Sequence, residues 1–366
     1  MTSSMYAAVA GLKTHMSALG VIGNNVANVN TYAYKATRYT FDEALYTNVR
    51  SGSNGTEEIG GNNPAQIGFG CTVGTIDLDM STKIFNTTGR GLDCMVDGDG
   101  FFVVGDKTKL GINTQAELNG MSLSRLGNFE FTSGYLTDGG GQVVYGFLNT
   151  ANPDQNASFS TLLTPIRLPY YNEDTKEILM PYETDDEENP ELADNEQAVE
   201  AIAEANAPGA EAGGRVAYKR LNVDTLSVDR AGVITAVTAD DIQVVIGVIA
   251  VAKAENPNGV THDDGRYYKA LGGAGDLRLT TVGGTVTYPE IGLDGQPTNP
   301  GGADANRLVI ESAGDTELLN GGLESSGTDL ADEITHMIVI QRGYQANTRI
   351  VTVTDSMLEE LVNMKR

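Results

Sequence analysis

The sequence predicts an α+β fold. A helix at each end carries the seam of an α-helical coiled coil, and between them lie central β-rich domains of barrel or sandwich type with an inserted segment. Three observations predict it. Apolar residues recur every seven positions near both termini. The middle is Gly-rich, with short β-branched and aromatic runs. The composition shifts abruptly between residues 150 and 224. A chain of 366 residues is expected to hold two or three domains of about 100–200 residues each.

The first helix is read from its seam. Met5, Leu12, Leu19 and Val26 step by seven, flanked by Ala8, Val9, Met16, Ile22 and Val29. A sustained seven-residue repeat keeps one face toward a partner helix. Thr2 or Ser3 can cap its start, and it should run to about Asn28, close to 40 Å at about 1.5 Å per residue. It ends in an Asn-dense stretch, Asn24, Asn25, Asn28 and Asn30. Short amide side chains there can bond carbonyls freed at a helix end. Thr31 to Lys35 reads as extended, and residues 46–65 read as a polar connection.

Strands follow, separated by turn residues: Thr72–Leu78, Asp93–Val96, Phe101–Val104, Phe129–Phe131 and Val143–Phe147. Residues 150–224 look inserted, with Pro165, Pro169, Pro181, Pro190 and Pro208 among them. The β-pattern resumes at Thr225–Val228, turns at Asp229 to Gly232, and continues through Val233–Val237 and Ile242–Lys253. Within the last of these, Val244 to Ala252 is the longest apolar run and reads as a buried strand. A Gly/Pro-rich loop spans 282–304. The last helix starts near Thr328 or Asp329, with Asp332 and Glu333 suited to the positive end of its dipole. Its seam is Leu330, Met337, Tyr344, Val351 and Leu358, flanked by Ile334, Ile338, Ile340 and Leu361. Arg342 and Arg349, also seven apart, point to contacts between neighbouring helices.

The formal charge is −25, from 49 acids against 24 bases. A field of that sign repels phosphate backbones and anionic lipid heads, so neither nucleic acid nor membrane surface is expected as a partner. Between Glu173 and Glu211 lie fourteen acids and one base, Lys176, which reads as a solvated segment. No apolar run approaches the ~18–20 residues of a membrane span. Lys13 and His15 interrupt the first helix where a cleavable secretory signal would need an apolar core.

No catalytic, cofactor or metal site is expected. Cys71 and Cys94 form no CxxC and read as small apolar residues. Asp97-Gly98-Asp99-Gly100 resembles the start of a calcium loop. Phe101 and Thr108 stand where further ligands would be needed, so a tight turn is the reading. His15, His262 and His336 are isolated, and no nucleophile elbow is present.

Several blocks, in order, resemble bacterial flagellar rod and hook axial proteins. The first is Ile22 to Thr31 with Tyr34-Lys35, carrying Asn24, Asn25, Asn28, Asn30, Thr31 and Lys35. The second is Thr88-Gly89-Arg90-Gly91-Leu92-Asp93 leading into Asp97-Gly98-Asp99-Gly100-Phe101-Phe102. Ser124 to Phe129 with Leu136-Thr137 is similar to a third block, and Asn256 to Val260 to the return strand. The last runs from Gly322-Leu323-Glu324 through Gln341-Arg342-Gly343-Tyr344-Gln345-Ala346-Asn347. Ala33 stands where that family usually has Gly, Cys94 holds an apolar position, and Ser326-Gly327-Thr328 replaces Ser-Asn-Val.

The resemblance implies a non-enzymatic subunit of a helical homopolymer. Residues 1–45 and 326–366 would form the inner tube and 46–90 a linker and connecting hairpin. Residues 91–149 with 225–325 would form a middle β domain, and 150–224 an outer one. The insertion favours the hook, a curved tube transmitting torque from rod to filament, over the distal rod. Implied partners are rod and hook–filament junction proteins, the hook cap and the flagellar export apparatus, with export uncleaved to the cell exterior. Long helices with so little to bury alone depend on packing for stability, so their folding is expected to be coupled to assembly.

Overall fold

The computed structural model describes residues 2–52, 60–109, 111–112, 114–149, 157, 159–160, 162–172, 178–179, 218–239, 241–263, 265–281, 310–311 and 316–364. Nearly all of the acidic block and the whole 282–304 loop lie outside them. The chain divides into two compact units, one of residues 1–79 with 326–366 and the other of residues 80–325. Terminal helices and a β-rich middle make this an α+β protein.

In the first unit, helix α1 (Thr2–Ala27) lies on an antiparallel ribbon of Thr37–Glu43 and Cys71–Leu78. Close approach is possible because the contact residues are small. Gly70, at φ +107°, sits beside Ala7 and Ala10, and the Thr14 hydroxyl donates to the Cys71 carbonyl at 3.1 Å. The polar connection is itself a second ribbon, Tyr46–Arg50 paired with Ala65–Gly68. Thr31 to Ala33 forms a turn rather than an extended segment, with Ala33 at φ +58°.

In the second unit, fifteen strands among the described residues join one sheet. Its centre is the strand Gln243–Ala254, which pairs with Phe101–Gly105, Val143–Leu148, Val233–Thr238 and Leu277–Thr281 along its length. Residues 246–252 of this strand are buried on both faces, which explains the continuous Val/Ile/Ala run, with no exposed face needing alternation. Phe102, Phe129, Leu136, Val144, Ile249 and Val251 form the heart of the core. Pro257–Gly259, read as part of a return strand, is a 3₁₀ turn capped by Asn256, and Val260–His262 follows as the strand.

The segment read as inserted begins within this sheet, since Thr164–Pro165 pairs with Val143–Leu148. A separate three-stranded sheet follows, in which Tyr170–Asn172 pairs with both Ile178–Leu179 and Tyr218–Arg220. The Arg220 guanidinium lies over the rings of Tyr135 and Tyr170, at 5.1 and 5.2 Å.

Candidate assembly interface

A 35-residue helix α3 (Leu330–Met364) closes the chain; the short α2 (Gln115–Asn119) lies in the second unit. Asp329 caps α3, its carboxylate accepting from the Ala331 and Asp332 amides. α1 and α3 pack antiparallel. Gly11 faces Asn347, His15 faces Gly343 and Asn25 faces Glu333. The fit matches large to small: a Cβ on Gly11 would lie 2.6 Å from Asn347 Nδ2, and one on Gly343 2.8 Å from His15 Cε1.

The stripe of α1 covered most fully is Ala8, Gly11, Thr14, Ala18, Ile22 and Asn25. The seam read from sequence lies beside it: Met5, Leu12, Leu19 and Val26 are half-buried. Leu19 and Val26 edge the cluster of Ala18, Ile22 and Ile340, together with Met337. On α3 the seam residues Met337, Tyr344, Val351 and Leu358 are half-buried on the covered stripe, interleaved with Glu333, Ile340, Asn347 and Thr354. Leu330 is exposed.

Sequence reading gave Ile338 and Leu361 only as flanks of the seam and missed the second apolar face of α3 to which they belong. Ile338, Val339, Ile350, Val353, Met357 and Leu361 are all exposed, Val339 at 62%. The signal was present, because Ile350, Val353, Met357, Leu361 and Met364 recur at helical spacing of three and four. Gln341, Arg342, Gln345 and Arg349 also face solvent, and among the described residues neither arginine has an ion-pair partner.

The Asn-rich end of α1 is a polar knot. Asn25, 1% exposed, donates to the Thr37 carbonyl at 2.8 Å and to Glu333 Oε1 at 2.7 Å. Its Oδ1 accepts from the Tyr34 hydroxyl and from the Thr37 amide and hydroxyl. Asn24 donates to Tyr34, Asn28 to Asn24, and Thr31 to Asn28. Asn30 is exposed, whereas Lys35 is fully buried. Ser326 donates to the Asn28 carbonyl, the Gly327 amide to the Tyr34 carbonyl and Thr328 to the Asn25 carbonyl. The altered tripeptide therefore still ties the entry of α3 to the end of α1. Burial foremost, with the Glu333 charge, raises the Tyr34 phenol against the lowering effect of its Thr37 bond.

The motif residues of the second unit build a turn and its brace. Gly89, Gly98 and Gly100 all have positive φ, and a side chain on Gly91 would strike the Leu226 carbonyl. Asp93 is buried and accepts from Thr88 at 2.6 Å. Phe101 and Phe102 are fully buried, the latter edge-on to Phe129. Arg125, 1% exposed, donates to the carbonyls of Val96, Gly98 and Gly100 and to Glu324 at 3.2 Å. The other Glu324 oxygen accepts from the Lys83 amide. So the Asp97–Gly100 turn is held by a buried guanidinium. Among the described residues, no group of His, Cys, Asp and Glu could hold a metal ion, and no helix is long and apolar enough to cross a membrane.

Two family models fall on the helical ends. The one described as flagellar basal body rod FlgEFG protein C-terminal matches residues 319–364, and the one described as flagella basal body rod protein matches residues 5–35. A flagellar basal-body rod protein FlgG of Bacillus subtilis is 29% identical over 371 aligned residues, spanning all of both chains. A flagellar hook protein FlgE of Borreliella burgdorferi is 24% identical over 469, again spanning both. The chain is a flagellar rod/hook axial protein. A flagellar hook protein FlgE of Treponema pallidum is 37% identical over 110 residues, 30% of this axial protein and 24% of that chain. Such axial proteins are structural and not an enzyme family.

Proposed function

We propose that this axial protein is a subunit of the flagellar hook, polymerising into a curved helical tube that carries torque from rod to filament. The observation that carries the reading is the second apolar face of α3. With α1 covering one side, Ile338, Ile350, Val353, Met357 and Leu361 remain in solvent. Apolar surface of that extent on a monomer marks a site for association, and a surface repeated on every copy supports a head-to-tail polymer. The α1–α3 pairs would then join as a coiled-coil inner tube, in which neighbours complete the burial of the half-covered Met5, Leu12, Leu19, Val26, Met337, Tyr344, Val351 and Leu358 and cover the exposed Leu330. Rod and junction proteins, a cap and the export apparatus are the partners this role implies.

Support for the hook comes from the segment between Asn172 and Tyr218. Its two ends are paired strands, so the intervening chain leaves and returns at one place, as an inserted outer domain would. A distal rod subunit is the second reading, favoured by the FlgG alignment, which needs 371 positions where the FlgE one needs 469. Electron microscopy of tubes grown from the purified chain tests both. Curved tubes are expected, straight ones would favour the rod, and a chain that stays monomeric at millimolar concentration would refute assembly.

A further inference from the structure

The seams of α1 and α3 repeat every seven residues, so they look alike to each other after a slide of one heptad. Such a slide is about 10 Å long at 1.5 Å per residue. α3 has 35 residues and α1 has 26, so sliding α1 toward the end of α3 leaves none of it uncovered. The apolar seam by itself therefore leaves two registers in reach, although the slid one sets His15 against Ile350 in place of Gly343 and parts Ser326 and Thr328 from the end of α1. Asn25 separates them. In the observed register its amide meets Glu333 Oε1 at 2.7 Å. Slid by seven, it would face Ile340, which now lies against Ala18. The amide N–H would then be buried without an acceptor, and Glu333 would lose its donor.

We propose that Asn25 and Glu333 are the specificity-determining polar pair that, beside the His15–Gly343 fit, selects the register of α1 on α3, while the apolar seam supplies adhesion without choice. A buried Asn in a heptad seam is suited to this role because only one alignment satisfies it. The neighbouring bonds of Asn25 to Tyr34 and Thr37 hold its amide plane so that Nδ2 points at α3.

The test uses the full chain with Cys71→Ser, the Cys94 thiol being buried. One thiol reporter, Leu19→Cys/Met337→Cys, reads the observed register; another, Leu19→Cys/Tyr344→Cys, reads the slid one, all three positions being half-buried and open to reagent. Both are treated with a short bifunctional thiol crosslinker and scored for links within and between chains. With Asn25 present, the first reporter should exceed the second at least tenfold. Asn25→Leu and Glu333→Leu should raise the second at least tenfold with helical circular dichroism undiminished. Glu333→Gln, which keeps an acceptor, should hold the original ratio. An unchanged ratio in Asn25→Leu would overturn the proposal. So would loss of both links together with helix signal, which would make Asn25 a general stabiliser, or no link in the first reporter with Asn25 intact. The assay reads register whether or not tubes form, so its failure is distinct from failure of the assembly reading.

Discussion

At the scale of single residues, Ala33 and Cys94 illustrate what a local sequence can and cannot announce. Ala33 adopts φ +58°, a left-handed conformation costing a residue with a Cβ about 1–2 kcal/mol, while Gly loses about 0.5–1 kcal/mol more chain entropy elsewhere. Ala33→Gly should therefore stabilise the first unit by about 0.5–1 kcal/mol, read as a higher denaturant midpoint. The substitution was visible in sequence as a departure from the family pattern, but the extended reading of Thr31–Lys35 missed the turn. Tyr32 and Tyr34, alternating with Thr31 and Ala33, mimic a strand, and only tertiary bonds from Tyr34 to α1 and to Gly327 before α3 reveal otherwise. Cys94 was read as a buried apolar residue and is fully enclosed. Burial, with the Asp93 charge, pushes its thiol well up, and the thiolate is the reactive form. Native alkylation at pH 8 should modify Cys71 alone, with Cys94 reacting only in denaturant; mass spectrometry checks both.

Among the elements, those with a strong local period were legible and those built from distant partners were not. The observed bounds of α1, α3 and the strand Gln243–Ala254 fall within two residues of their readings, because a seven-residue stripe or an unbroken β-branched run marks them. The resemblance implied a connecting hairpin within 46–90, but the residues of the ribbon Tyr46–Arg50 with Ala65–Gly68 read only as a polar connection, because every residue of its first strand is exposed, leaving no inside-outside alternation. The true contact stripe of α1 was displaced by one position from the reading. Gly11, Ala8 and Ala18 add little to an apolar count, yet their small size lets α3 approach. Gly343→Ala should accordingly push against His15 and weaken the helix pair, lowering the melting temperature of the helical signal. The brace of Arg125 by Glu324 links residues 199 apart, which no window of sequence exposes. Arg125→Met should cost about 3–5 kcal/mol by taking the guanidinium from a buried carboxylate. Arg125→Met/Glu324→Gln should recover most of it, and chemical denaturation of the four-member cycle would measure the coupling.

For the whole molecule, the decisive property is an apolar surface that the chain itself leaves open. Val353→Asp on the outer face of α3 should leave secondary structure intact while abolishing tubes, as read by circular dichroism and sedimentation. The repeat period foretold that the helices would seek partners. It did not foretell that one partner lies in the same chain and occupies only one side of α3. The manner in which the two units are joined has a mechanical corollary. The chain passes between them twice, near Asp79 and near Ser325, and just inside the second unit the two passages run as paired strands, Phe85–Thr87 with Gly322–Glu324. A linker of one strand can swivel freely about its backbone bonds and lets rotation leak away. Two strands bound side by side cannot, so at the entry to the second unit Phe85–Thr87 and Gly322–Glu324 must turn as one piece.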